Sequence, residues 1–183
     1  RVNEIDWHEK ILYTGTGAAP APLALINKCR QLDFSFHEGY GMSETTALAI
    51  STPYNGFRPG STGVPYTDVD LRLVDEDGND VPLGQPGEIW MKSPYVMKEY
   101  WRKPEETANV FTEDGWLKSG DVAYMDEDGY VYIVDRTKDM IIAGGFNIYP
   151  RDIDEVLIKH PKVADAMAIG VPDEYRGENV KAF

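Results

Sequence analysis

Cysteine and positive charge are what this chain has least of. Cys29 is the single cysteine in 183 residues, so an internal disulfide is excluded and the residue reads as a small buried hydrophobe. Against 31 Asp and Glu stand only 18 Lys and Arg, a formal charge of −13. Such a surface repels nucleic-acid phosphates and anionic membranes, although a local site can still hold an anionic ligand against the global charge. The 3 histidines, His8, His37 and His160, are dispersed and lack metal-site spacing. No apolar run approaches the about 20 residues that span a membrane, and no signal-peptide pattern opens the chain. The expectation is a cytoplasmic protein of one or two domains, 42% hydrophobic and able to bury a core.

What the chain does have is a dense polar turn at residues 39–46, Gly-Tyr-Gly-Met-Ser-Glu-Thr-Thr, following a short β-prone stretch from Leu32 to His37. Tyr40 lies between Gly39 and Gly41, whose freedom at positive φ would let the backbone crowd a flat ligand. Ser43, Thr45 and Thr46 can donate to phosphate oxygens, and Glu44 is a hard oxygen ligand of the kind magnesium takes when it rides on a nucleotide. The chemistry suggested is handling of an activated phosphate; a well-capped loop is the plain alternative.

Upstream, Ile11 to Thr16 reads as a strand ending in Gly15-Thr16-Gly17. A helix should follow from about Ala21 to Arg30, with Pro20 and Pro22 confined to its opening and Leu23, Leu25 and Ile26 on one buried side. That is a strand–loop–helix–strand unit of α/β layering. From Tyr54 onward the pattern changes to short strands separated by turns. Val69 to Val74 alternates apolar and polar residues before the turn at 75–80, and 126–129 separates Asp121–Met125 from Tyr130–Val134 as a hairpin. Neither acidic turn has the spacing of a calcium-binding EF-hand loop. Asp121 follows Gly120 where a strand begins, so its carboxylate can meet a ligand's paired hydroxyls or serve as an ordinary strand acid. Further on, Arg151 to His160 forms an amphipathic helix with Ile153, Val156 and Leu157 on one side, and Val163 to Val171 reads as a buried strand.

Four ordered motifs carry a resemblance. They are Gly17-Ala18-Ala19-Pro20 with the 39–46 turn, Gly87-Glu88-Ile89-Trp90, Gly115-Trp116-Leu117-Lys118-Ser119-Gly120-Asp121, and the run from Asp135 to Pro150. Together they resemble the adenylate-forming acyl-CoA synthetases and their relatives, the firefly luciferases and peptide-synthetase adenylation domains. Within that family the run from Tyr95 to Pro172 is most similar to bacterial long-chain fatty acid-CoA ligases, with plant coumarate-CoA ligases close behind.

The resemblance implies a fold of α/β and β character. Residues 1–137 would be the C-terminal part of a large AMP-binding domain, with an α/β unit at 1–52 and a small β-barrel at 53–137. Residues 138–183 would be a hinge and part of a small α+β domain. It also implies a fragment that begins after the family's loop for the ATP β- and γ-phosphates and stops before its C-terminal catalytic lysine, inactive as a ligase by itself. By resemblance Gly17, Ala18 and Ala19 border adenine, Tyr40 and Gly41 pack on it, and Ser43 and Thr45 touch phosphate. Glu44 holds Mg2+, Asp121 reads the ribose, Arg136 contacts the nucleotide, with an ion pair to Asp135 or Asp139 as the alternative, and Gly144 and Gly145 line the passage of coenzyme A. Lys138 matches the position where the chain pivots between domains, for which a solvated polar residue suits a change of φ/ψ. Ile142 stands where luciferase-like members often carry lysine, so no second catalytic lysine is carried over. His37 would border the acyl pocket or pack within a strand. The implied ligands are ATP and AMP, magnesium, coenzyme A and a carboxylic acid, with no nucleic acid; a homodimer is compatible. Two alternatives stand beside this: an adenylation domain that loads a carrier protein, and a nucleotide-binding regulator that has lost turnover.

Overall fold

The computed structural model describes residues 14–17, 21, 23–54 and 56–183, arranged as three four-stranded sheets. In the first sheet, β1 (Thr14–Gly17) runs parallel to β2 (Phe36–Met42), with Gly17 opposite Gly39, and α1 (Leu23–Gln31) makes the crossover. Lys28 and Arg30 occupy the last turn of α1, where the helix dipole favours cations. Ile26 is buried at 1% exposure, but Leu25, expected beside it, is 49% exposed, because consecutive helical residues point about 100° apart. Cys29 is half-buried. Of the expected first strand, 11–13 lie outside the described residues.

The second strand sits further along than its sequence suggests. Asp33 turns the chain at φ 57°, and the ladder starts at Phe36 and continues through Met42. Gly39 to Met42 is thus strand rather than turn. β3 (Ala47–Ser51) returns antiparallel to β2, and β4 (Val64–Pro65) completes the sheet.

The second sheet is the meander β5 (Asp70–Val74), β6 (Gly87–Lys92), β7 (Leu117–Met125) and β8 (Val131–Arg136). It fills the region expected to be a barrel; among the described residues no ladder joins β5 to β8. Both acidic turns are held by their own first aspartate. Asp75 accepts from the amides of Asp77 and Asn79, and Asp126 from those of Asp128 and Tyr130, the local bonding that makes Asp a turn former. Ala49 and Ile50 of β3 share one core with Ile89, Met91, Leu117, Ala123 and Val131, which locks the two sheets together. α2 (Pro104–Val110) lies between β6 and β7 in the chain.

The third sheet, in the order β10-β9-β12-β11, comprises β9 (Ile141–Ala143), β10 (Phe146–Ile148), β11 (Ala168–Asp173) and β12 (Gly177–Ala182). α3 (Pro150–Ile158) precedes β11. Two expectations shift here. The strand forecast over Val163–Val171 starts only at Ala168, whose amide donates to the Asp154 carboxylate at 2.7 Å, and Ile169 is exposed. Val156, expected on the covered side of α3, is 64% exposed. Arg151 ties this region to the second sheet by donating to Ile133 O at 2.9 Å. Among the described residues, no helix is long and apolar enough to cross a membrane.

Candidate active site

The polar turn is built around glycines used for packing, not for positive φ. Neither Gly39 nor Gly41 has a positive φ, contrary to the expectation from the sequence. A Cβ on Gly41 would collide with Ala47 O, so glycine there is what lets β3 fold back against β2. Positive φ falls instead on Thr46 (φ 54°, ψ 49°), which follows a single 3-10 turn at Ser43–Thr45, and on Ala47 (φ 88°) after it.

Thr45 changes role. It is 4% exposed, and its hydroxyl lies 3.0 Å from both Met42 O and Ala47 O while accepting from the Met42 amide at 3.1 Å. That hydroxyl is committed to shaping the turn and is not offered to a phosphate. Thr46 donates to Tyr95 O at 2.7 Å. Of the hydroxyls expected to meet phosphate, only that of exposed Ser43 makes no side-chain hydrogen bond among the described residues.

Glu44 is half-buried and held from the 95–100 segment. Its Oε1 accepts the Tyr100 hydroxyl at 2.6 Å, and its carbonyl accepts the Met97 amide at 2.7 Å. The bond to Glu44, then burial and the carboxylate's charge, push the Tyr100 phenol up to about 12. Among the described residues no three His, Cys, Asp or Glu side chains cluster as a metal cage. A lone carboxylate with one oxygen unclaimed fits magnesium, which takes one or two carboxylates and draws its other ligands from phosphate and water.

Tyr40 meets Asp121 across the first and second sheets. Its hydroxyl donates to Asp121 Oδ2 at 2.6 Å, joining residues 81 apart in sequence. Burial, and after it the neighbouring Asp121 charge, raises the Tyr40 phenol far above its ordinary value. Arg136, directly across the β7–β8 ladder, places Nε 3.5 Å from Asp121 Oδ1. The ion-pair partner expected for Arg136 was Asp135 or Asp139; it is Asp121. The Arg136 side chain remains 60% exposed, leaving its fork open to a ligand. Asp121 is fixed by Ser119 Oγ, which accepts its amide at 3.0 Å, and Gly120 by Glu88, which accepts its amide at 2.9 Å.

Gly17 borders this region through its register with Gly39, while Ala18 and Ala19 lie outside the described residues. His37 lies in β2, its Nδ1 3.5 Å from Thr52 O. Sequence reasoning passed over Glu38. It is buried, its Oε1 accepts the Ala21 amide at 3.3 Å, its Oε2 has no hydrogen-bond partner among the described residues, and burial raises its carboxyl. Its position directly before Gly39 was the available signal. Tyr100 was missed because its partner Glu44 is set by tertiary contact, whereas Ser119, whose hydroxyl accepts the amide of Asp121 two residues on, was open to a local reading.

The remaining expected residues lie on exposed turns. Lys138 is solvated in the turn between β8 and β9, where the amides of Asp139 and Met140 both reach Arg136 O at 3.1 Å. Gly144 (φ 61°) and Gly145 (φ 83°) form the tight connection of the β9–β10 hairpin, which demands positive φ at both central positions. The Gly144 amide donates to Arg176 O at 2.8 Å. The structure therefore brings Tyr40, Asp121 and Arg136 together and holds Glu44 beside Tyr100, while Lys138, Gly144 and Gly145 stand apart on the third sheet and its entry.

Comparison with known proteins identifies the family. A family model described as AMP-binding enzyme matches residues 6–101, and one described as AMP-binding enzyme C-terminal domain matches 152–183. A long-chain-fatty-acid–CoA ligase of Yersinia pestis is 52% identical over 169 residues, 91% of this chain and 30% of that protein. A feruloyl-CoA synthase of an Amycolatopsis species is 45% identical over 168 residues, 91% of this chain and 34% of that protein. The crystal structure of ATP-bound MatB from Rhodopseudomonas palustris superposes with a TM-score of 0.86 at 39% identity, covering 93% of this chain and 34% of that one. The chain spans about a third of the length of the curated relatives it matches.

Proposed function

This chain belongs to the AMP-binding enzyme family, and from that premise we propose that the protein carrying it activates a carboxylic acid, most specifically a fatty acid, as an acyl-adenylate and transfers the acyl group to coenzyme A. The observation that carries the reading is the Tyr40–Asp121 hydrogen bond, which sets an aromatic ring and a diol-reading carboxylate side by side at the edge of a hydroxyl- and carboxylate-bearing turn.

In the first half, a carboxylate oxygen of the acid attacks the ATP α-phosphorus and the bond to pyrophosphate breaks. Tyr40 packs on the adenine, bordered by Gly17, Ala18, Ala19 and Gly41. Asp121 accepts from the ribose hydroxyls with the lone pairs that Tyr40 leaves open, and Arg136 offers its exposed fork to the phosphate. Ser43 donates to a phosphate oxygen, and Thr45 holds the turn that presents it. Glu44 would hold magnesium, which when bound neutralises phosphate charge as it grows. In the second half the coenzyme A thiol attacks the acyl carbonyl and AMP leaves. Lys138 is the pivot between a domain ending at 137 and one beginning at 138, and Gly144 and Gly145 line the path of the thiol.

The fatty-acid reading rests on the ligase relative from Yersinia pestis; the feruloyl-CoA synthase favours an aryl acid as the second reading. ATP–pyrophosphate exchange by the full-length protein, across fatty, aryl and amino acids, separates them. Exchange driven by fatty acids, with AMP release dependent on coenzyme A, is the expected result. Exchange without use of coenzyme A would point to a carrier-protein acceptor, and no exchange with any acid would leave a nucleotide-binding regulator.

A further inference from the structure

The 43–46 turn does not hold itself in place from the outside. Three hydrogen bonds from the 95–100 segment grip it: Thr46 Oγ1 donates to Tyr95 O at 2.7 Å, the Met97 amide to Glu44 O at 2.7 Å, and the Tyr100 hydroxyl to Glu44 Oε1 at 2.6 Å. The second joins backbone to backbone, and the first anchors the Thr46 side chain to the Tyr95 carbonyl. The third reaches the carboxylate itself, across 56 residues of sequence.

Tyr100 is in turn fixed from behind. Its amide donates to Thr107 Oγ1 at 2.9 Å, the Thr107 hydroxyl donates to Lys103 O at 2.8 Å, and the Lys103 amide donates to Tyr100 O at 3.1 Å. The backbone of Tyr100 is therefore tied at both its amide and its carbonyl to the start of α2, which fixes the point from which the phenol reaches Glu44.

We infer that Tyr100 is a positioning residue for the metal-binding carboxylate: its hydroxyl occupies Glu44 Oε1 and so commits Oε2 to the cation that accompanies the nucleotide. This rests on the reading of Glu44 given above. A half-buried glutamate without that bond would still distribute over several rotamers and lose that freedom on binding. A short hydrogen bond to a carboxylate is directional and strong enough to select one orientation in advance. The same bond withdraws some electron density from the carboxylate, so the direction of the net effect is a real test: orientation weakens metal binding when removed, and electron withdrawal strengthens it. Partners that orient metal ligands are typically worth about 10–100-fold in metal affinity, and the orientation effect prevails here because the Tyr100 backbone is tied to Thr107 through its amide and to Lys103 through its carbonyl.

The experiment titrates Mn2+ into the full-length protein saturated with an ATP analogue that has a methylene between the α- and β-phosphorus, reading free Mn2+ by electron paramagnetic resonance. Tyr100→Phe is expected to weaken Mn2+ about tenfold while leaving metal-free binding of the analogue and the unfolding midpoint where they were. Thr107→Val, which unpins the Tyr100 amide, is expected to weaken Mn2+ in the same direction and keeps the question open to measurement should the phenylalanine variant not fold. Unchanged or tighter Mn2+ binding in Tyr100→Phe, alongside weakened binding in Glu44→Ala, would overturn the role of Tyr100 and leave Glu44 as ligand. Equal losses of analogue binding with and without metal in Tyr100→Phe would make the residue merely structural and also overturn it. Unchanged Mn2+ binding in Glu44→Ala would remove Glu44 itself, and the role of Tyr100 with it.

Discussion

The first two sheets and the third are built to different standards of packing. Ala49, Ile50, Ile89, Met91, Leu117, Ala123 and Val131 form one buried cluster that spans β3 and the meander. The third sheet buries only Ile141, Ala143 and Ala168 among its strand residues and leaves Phe146 76% exposed. The difference matches the division of labour proposed for the two halves of the reaction. Residues assigned to the nucleotide, Tyr40, Asp121 and Arg136, stand on strands whose register the shared core fixes, so their mutual distances are set before any ligand arrives. Those assigned to the thiol and the pivot, Lys138, Gly144 and Gly145, sit on turns with little packed around them, where a change in φ/ψ disturbs no core.

Substitutions can break this contrast in order of size. Leu117→Ala removes a wholly buried side chain from the shared cluster and is expected to cost about 2–5 kcal/mol in urea unfolding. Val156→Ala on the exposed side of α3 should stay within about 0.5 kcal/mol; similar costs at both sites would erase the distinction. Gly41→Ala drives a methyl into Ala47 O and should cost about 1–3 kcal/mol while also depressing pyrophosphate exchange, since β3 can no longer close on the nucleotide turn. Asp121→Asn keeps the shape but removes the charge that Tyr40 and Arg136 address. Calorimetric titration should find ATP bound about tenfold more weakly, roughly 1.4 kcal/mol, with the unfolding midpoint nearly unchanged.

The smallest effect concerns pH. Burial raises the Glu38 carboxyl, so the folded state holds its proton more tightly than the unfolded chain and stability falls as pH rises through and above the ordinary carboxylate range. Glu38→Gln retains an acceptor for the Ala21 amide and cannot ionise. It is expected to flatten that decline, so the variant gains on the parent between acid and neutral pH in denaturant titrations. An identical pH slope in both would show that Glu38 does not titrate differently on folding.

Local signals were legible in the sequence and tertiary ones were not. Aspartate-led turns at 75–80 and 126–129 announce themselves because each aspartate bonds its own next amides, and the structure has both where expected. The β1–α1–β2 unit was likewise readable from its breakers and apolar spacing. Gly39 and Gly41 misled because glycine marks positive φ and close backbone approach alike, and only the position of β3 decides between them. Thr45 misled for a related reason: a hydroxyl beside a glutamate in a turn serves a ligand or the turn, and its burial settled it for the turn. The partners of Glu44 and Asp121 lie 56 and 81 residues away, beyond any local pattern. The strand forecast at Val163 failed because the Val163 amide closes a turn onto His160 O and the Asp165 carboxylate accepts the Ala166 amide, local bonds that delay the ladder until Ala168.

The contrast between a fixed nucleotide frame and a movable thiol side is tested most directly at Lys138. In the full-length protein, Lys138→Pro restricts φ in the solvated turn between β8 and β9 without touching the shared core. Pyrophosphate exchange and coenzyme A-dependent AMP release are measured on the same preparation. The expected result is exchange close to the parent with AMP release strongly reduced; equal losses in both would contradict the division of the chain at this residue.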